Sequence, residues 1–485
     1  MNRPITVLIV VAVFSLSAGM AIADTFEWTK DDDGDWNDGA NWTRTSGTSG
    51  RTFPNDSSDV AVLRNDISQD RAVSVPTGGI TVDKLEVGDA DASDSFIMDG
   101  GTVSAGDPAI ELFGGAVLQM DSDVSAGNFV EITGAGTLVV NGTMSANRVW
   151  NLQSTVVRID GGKMNTNNDN LRVFGGTKLE IGNDNFTNAP NGVLIKSSAS
   201  FGSYGSDRTV DRKFTIWGDD ASFDGSNGLN LQITAATNLR VPNGRAKGSP
   251  TFIVDTSELT LSGSLGLSLV SSTRTFHRHP VRLTNGGTLE LSGTSATGLD
   301  LVIDGNGSVL LNNASGSATG SGNNLVVGRQ NHVVTSDVVL GGNGSTDSSV
   351  IVGAGGTIAP GNSIGTLTTG TMDFGAGAAY EWEFGNGSSD LLAVNGDLSI
   401  DDNFTIDLID LAGGPFGTRD LMTYTGTFTG NPDLWTVNFS DPVGYDTIVA
   451  SDGSVQITGL VPEPAGTVLI VVAGLGLLIS RGKRR

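Results

Sequence analysis

From Asp24 to about Gly370 the chain alternates short apolar and polar positions between Gly, Asn and Asp punctuation. In Gly175-Gly176-Thr177-Lys178-Leu179-Glu180-Ile181-Gly182, Leu179 and Ile181 fall on one face, Lys178 and Glu180 on the other. Gly286-Gly287-Thr288-Leu289-Glu290-Leu291-Ser292-Gly293 repeats the pattern. Related turns lie at Gly78-Gly79, Gly100-Gly101, Gly114-Gly115, Gly134-Ala135-Gly136, Gly161-Gly162 and Gly305-Asn306-Gly307. Period-two alternation bounded by glycine predicts half-buried strands. Helical periodicity is confined to the two termini.

Strand–turn units recurring at this scale predict an all-β solenoid, a parallel β-helix whose inward Leu, Ile and Val stack from rung to rung. At ~20–25 residues per rung, ~350 residues make about 15 rungs and a rod of roughly 70 Å. Gly and Asn turns also build hairpins, so antiparallel sandwiches are the competing architecture. The chain has no cysteine. Disulfides and thiolate chemistry are therefore excluded, and stability must come from burial and backbone pairing.

Both flanks of the array differ in texture. Trp28, Trp36 and Trp42 cluster within 24–60, whereas the chain holds seven tryptophans in all. Such aromatics suit a cap over the first rung, or alternatively a platform on which sugars stack. Past the solenoid proper, taken as 61–375, Asn395-Gly396 between alternating runs signals a hairpin. Residues 376–460 are accordingly expected to form an antiparallel β-rich cap.

The ends carry processing signals. Arg3, the apolar stretch Ile5 to Leu16 and the Ala21-Ile22-Ala23 site read as a signal helix and peptide over 1–23, leaving Asp24 as the mature start. At the other end, Pro462-Glu463-Pro464 precedes an apolar run, Ala465 to Ile479, and then Arg481, Lys483, Arg484 and Arg485. Two prolines break regular structure ahead of the run. Its fifteen residues cover only ~22 Å as a helix, short of a ~30 Å hydrocarbon core. Snorkelling of the terminal cations, which act as a membrane stop, makes up part of the difference. The positive-inside rule keeps this end cytoplasmic and the bulk of the chain outside.

Pro462-Glu463-Pro464, the apolar transmembrane helix and the basic end together resemble the PEP-CTERM sorting signal over 461–485. That resemblance implies recognition by a membrane-embedded exosortase, cleavage near the motif, and delivery to the cell surface or extracellular matrix. The run from Gly34 to Trp42 is similar to the opening motif of many bacterial surface β-solenoids. Gly355 to Leu367, Asp390 to Leu398 and Arg419 to Gly426 resemble segments near the ends of autotransporter-type passengers. No membrane β-barrel follows them here, so the exit route must differ.

The formal charge is −25. Losing Arg3 with the signal and the four cations of the tail takes it to −30. Such a surface repels nucleic acid and anionic head groups. The densest acidic run supplies one candidate cofactor site: calcium on Asp31, Asp33, Asp35 and Asp38. An EF-hand reading fails there, because Trp36 and Trp42 occupy the Gly and bidentate Glu positions. His277 and His279 share a strand face, but Arg274, Arg278 and Arg282 beside them oppose a cation. His332 stands alone. Neither a P-loop, a nucleophile elbow nor a zinc motif is present, and no catalytic residue is assigned.

The expected role is a non-enzymatic structural or adhesive protein of the cell surface or matrix. Its expected partners are signal peptidase, exosortase, transiently the inner membrane, and extracellular polysaccharide or other envelope components. A polysaccharide lyase or hydrolase on the same scaffold is the alternative from another class, since fold does not settle activity.

Overall fold

A computed structural model describes residues 23–462, apart from short internal gaps of which 242–251, 270–278, 312–323 and 329–336 are the longest. The chain winds as a succession of short, mostly parallel strands, each pairing with the equivalent strand one turn before and one turn after. The fold is all-β, a parallel β-solenoid; among the described residues only two single-turn 3-10 helices, Gly39–Asn41 and Pro432–Leu434, interrupt it.

Three faces define each turn. The solenoid has about eleven turns, fewer than the roughly fifteen expected, and its first face is a thirteen-stranded sheet running from the edge strand Trp42–Ser46 through Thr25–Trp28 to Ala296–Thr297. The second begins at Gly34–Asp35 and continues in register to Phe428–Thr429. A third face starts at Ile80–Thr81 and ends its first sheet at Lys163–Thr166; it resumes as a new sheet at Arg208–Val210. The eleven-residue strand Leu301–Leu311 joins the second and third faces, pairing through its first half with one and its second half with the other.

Period-two alternation explains why the stack holds. On the second face Leu118, Leu138, Val157, Leu179, Phe201 and Phe223 lie directly above one another, each at most 1% exposed. Leu85, Ile110, Ile132, Leu152, Val173 and Ile195 form the matching column on the first face. Val103, Val124, Met144 and Met164 complete it on the third. Each such side chain contributes roughly 1.5–3 kcal/mol through burial. A one-residue slip would turn a whole column outward, so register is strongly specified.

The parallel stack extends on both sides of 61–375. Thr25–Trp28 already pairs in parallel with Val60–Leu63. Toward the C terminus, Ala379–Gly385, Thr405–Asp410 and Thr436–Phe439 are consecutive parallel rungs, as are Leu391–Val394 and Arg419–Tyr424. Apart from the short hairpin of Ala379–Gly385 with Ser388–Ser389, the antiparallel pairing expected over 376–460 is thus confined to the last strands. Arg419–Tyr424 pairs with Ser454–Thr458, which pairs with Thr447–Ser451, and Val443–Gly444 pairs with Val461–Pro462.

Asn395-Gly396 makes no hairpin. It turns the chain through one corner, so the strands it links belong to different sheets. Asn395 donates its N–H to the Thr369 carbonyl one turn earlier, and Gly426 donates to Gly396 one turn later. A Cβ at Gly396 would lie 2.7 Å from Thr371 Oγ1, so this corner requires glycine. The predicted signal and tail helices lie outside the described residues. Among those described, no helix is long and apolar enough to cross a membrane.

Leu138→Ala should destabilise the chain by about 2–5 kcal/mol in urea unfolding, because it opens a cavity in the middle of a column. Val139→Ala, one residue away on the outer surface, should cost less than about 1 kcal/mol. Equal costs would contradict the alternation.

Candidate functional site

The N-terminal aromatics form a closed cluster. Trp28, Trp36 and Trp42 are at most 6% exposed and meet edge to face, with centroids 5.1 and 4.7 Å apart. Trp36 Nε1 donates to the Pro54 carbonyl and Trp42 Nε1 to the Trp36 carbonyl, both at 2.7 Å. Thr25–Trp28 gains an antiparallel neighbour, Trp42–Ser46, on its otherwise free edge. Buried rings offer no face to a sugar, so the cluster closes the first rung and is not a stacking platform. Asp24, the expected mature start, is fully buried, with its carboxylate against the Ser49 hydroxyl and 3.7 Å from Arg51. Ala23 is exposed just ahead of it.

The acidic run beside this cluster bonds to the next turn. Asp31 accepts from the Ser68 N–H, the Ser68 hydroxyl and Arg71 Nε, at 3.0, 2.8 and 2.9 Å. Those two Ser68 bonds, then Arg71, hold its carboxyl below the ordinary carboxylate range. Asp33 accepts from the Ala72 N–H and Asp38 from the Ala40 N–H. Asp35 is exposed on the short strand Gly34–Asp35, its carbonyl taken by Asn41 Nδ2. The carboxylates of Asp31, Asp33 and Asp38 engage separate donors. Among the described residues no group of three or more His, Cys, Asp or Glu is arranged to hold a metal ion.

The Asp33 contact recurs along the rod. Asp70, Asp123, Asp184, Asp207 and Asp397 each accept a backbone N–H, from Ser95, Thr143, Thr209, Asn230 and Thr427 respectively. Asn55, Asn165 and Asn343 do the same for Thr81, Asn188 and Thr366. Donor and acceptor are 20 to 39 residues apart in sequence, hence one turn apart in space. At corners the ladder of backbone pairing is interrupted, and an Asx side chain there satisfies an N–H that would otherwise lack a partner. For Asp397 the Thr427 N–H and hydroxyl pull the carboxyl pKa down. Much of the acidic composition therefore has a structural use beyond solubility. No local sequence signal reveals it, because the partner lies a turn away.

Asp390 was visible in sequence only as part of a terminal motif, yet its environment is unusual. It is 1% exposed; one oxygen accepts from the Gly365 N–H at 2.8 Å and the other from the Glu383 N–H at 2.9 Å. Its carbonyl receives Trp382 Nε1 at 2.8 Å. Burial pushes its pKa up to about 7 against the effect of those two N–H bonds, with Glu383 and Glu381 adding repulsion. Outward-facing Glu381 sits opposite Asp407 on the next rung. Burial, then Glu383 and Asp407, raises its pKa as well.

A second surface lies mid-rod, on the outside of the second face. Arg158 Nη2 and Lys178 Nζ both reach Glu180, at 2.8 and 3.0 Å. The Arg158 guanidinium covers the Tyr204 ring at 4.0 Å, and Arg208 donates to the Tyr204 carbonyl at 3.0 Å. Across the corner, Lys196 Nζ lies 5.5 Å from the Phe174 ring centre. Separately, a recess of about 250 Å3 follows the corner between the first and second faces, its lining including Gly115, Ala135, Gly136, Ser154, Thr155 and Gly176. The only trace of it in the sequence is small residues recurring at successive corners.

No protein-family model matches the chain, and no curated protein matches it in sequence. Of the sorting motif, Pro462 ends the last described strand, while Glu463 and Pro464 lie outside the described residues. So do Ala21, the apolar tail, Arg481, Lys483, Arg484 and Arg485, together with His277 and His332. His279 opens the strand His279–Thr284.

Asp390 and the corner aspartates have opposite linkage to pH. Asp390 is raised in the fold, so its contribution is complete below the ordinary carboxylate value of 3.8 and is lost as pH rises through about 7. Asp31 and Asp397 are lowered, so theirs is present at neutral pH and lost only in strong acid. The melting temperature should therefore rise as pH falls from about 8 to about 5, by an increment that Asp390→Asn removes. A variant with the same rise as the wild type would exclude Asp390 as its source.

Proposed function

We propose that this protein is an exported structural or adhesive rod, delivered to the cell surface or extracellular matrix by its C-terminal sorting tail. The observation that carries this reading is the order along the chain: the β-solenoid is followed by Pro462-Glu463-Pro464, an apolar run and a basic end. The last described pairing, Val443–Gly444 with Val461–Pro462, ends on the first residue of Pro462-Glu463-Pro464. A protease recognising that motif would cut past the last described strand, leaving the described solenoid whole. At the opposite end, buried Asp24 directly follows the Ala21-Ile22-Ala23 site, so the two candidate processing signals flank the described solenoid in sequence.

Signal peptidase and exosortase are the processing partners in this reading, and the inner membrane a transient one. A stack that buries its apolar columns without disulfides suits an exposed structural element, with Asx hooks and backbone ladders in place of cross-links. The acidic exterior keeps such a rod soluble and apart from nucleic acid.

In the native host, replacing Pro462-Glu463-Pro464 by three alanines should cause unprocessed precursor to accumulate in membranes, read by immunoblot of fractionated cells. Immunolocalisation should then show surface or matrix signal only for the unaltered chain. Normal processing of the altered motif would refute the sorting assignment.

A further inference from the structure

We propose that the rod assembles end to end with further copies of itself. The edge strand at its N-terminal end pairs with the edge strand at the C-terminal end of the next copy. Trp42–Ser46 stands first in its sheet and Thr447–Ser451 last in its own, and among the described residues neither pairs on its other side. Each presents a row of backbone N–H and C=O groups. The residues that usually blunt such an edge are missing from Thr447-Ile448-Val449-Ala450-Ser451, which holds no proline, no glycine and no charge. Its Val449 is 40% exposed.

Position and direction match. Leu391–Val394 and Arg419–Tyr424 follow strands of the third face and precede strands of the second, so their sheet takes the first-face step of the winding. Both unpaired strands therefore end the first face, one at each end of the stack. Trp42–Ser46 runs against the winding, because it is antiparallel to Thr25–Trp28. Thr447–Ser451 runs with it, since two antiparallel steps separate it from Arg419–Tyr424. A second copy placed head to tail brings the two together as an antiparallel pair, the more stable ladder.

Charge selects that arrangement. Residues 42–55 carry Arg44 and Arg51 and no carboxylate. Arg51 is held by Asp59 and Asp56, whereas Arg44 is exposed and makes no ion pair among the described residues. Arg44 lies opposite inward-facing Phe26, so its exposure marks the open end of the stack. The acidic run of the first turn is engaged elsewhere: Asp31 and Asp33 bond to the turn after, and Asp35 lies on the second face. At the other end, residues 420–460 contain five aspartates and no Lys or Arg. Two of them, Asp446 and Asp452, directly flank Thr447–Ser451, and both are exposed. Head-to-head contact opposes two arginines, and tail-to-tail contact opposes two pairs of aspartates. Head to tail sets Arg44 against Asp446 and Asp452. Contact between unlike ends does not close on itself, so copies add into a filament.

This deepens the structural reading by naming the rod's partner, and rests on that reading only for its setting. The chain has no cysteine, so introduced thiols report without background. Thr43 lies opposite Glu27 and Val449 opposite Gln456, both at outward positions, so Thr43→Cys and Val449→Cys put one thiol on each edge. The two variant chains, purified from the native host and mixed, are treated with a short bismaleimide and sized on a denaturing gel. The mixture should give a covalent dimer and the double variant a ladder of multiples, while either single variant alone stays monomeric. Adding Arg44→Glu to the first chain should lower the dimer yield at least about five-fold, and Asp446→Arg with Asp452→Arg in the second should restore it. Failed sorting shows on the same gel as the mass of the unprocessed chain, and failed pairing as a missing dimer, so the two remain separate results. A monomeric mixture, equal dimer from a single variant alone, or a yield unchanged by Arg44→Glu in chains whose circular dichroism matches the wild type would overturn the proposal.

Discussion

Every strand in this chain is too short to be stable alone, and each depends on backbone pairing with the turn before and the turn after. That dependence sets the rest of the structure. It demands that inward residues repeat in register, as Leu118, Leu138, Val157 and Leu179 do. It also leaves two open edges, which a stacked sheet must cover. Trp42–Ser46 and the tryptophan cluster cover the first, and the antiparallel strands from Thr447 to Thr458 lie at the second.

Corners are the weak points of such a stack, because there the ladder of pairing breaks. Asx side chains reaching one turn along restore the lost bonds, from Asp33 near the start to Asp397 near the end. The same carboxylates give the rod its negative surface, so solubility and cohesion come from one choice of residue. Asp390 differs from them. It also joins two turns through backbone N–H groups, but does so inside the core, where its charge is unfavourable above about pH 7.

Much of the architecture was legible in the order of residues. Alternation at Lys178-Leu179-Glu180-Ile181 predicts an inward Leu179 and Ile181, and both are fully buried. Strand existence, all-β class and stacking follow from such local periodicity, because burial of one strand face is a local pattern. The clustered tryptophans likewise predicted a cap. Asn395-Gly396 misled, since a two-residue turn has similar chemistry whether its strands pair with each other or turn onto adjacent faces.

What only the tertiary structure decided is everything that depends on neighbours a turn away. Whether a strand runs parallel through 376–460 depends on the rung it lands on, not on its own residues. The hooks from Asp123 to Thr143 and from Asp184 to Thr209 join residues 20 and 25 apart, and no spacing in the sequence marks them. The recess between Gly115 and Gly176 exists only once small residues from successive turns are superposed. Local pattern determined which residues face inward; the winding of the chain determined which of them meet, because contact in a solenoid is set by the turn length and not by proximity along the chain.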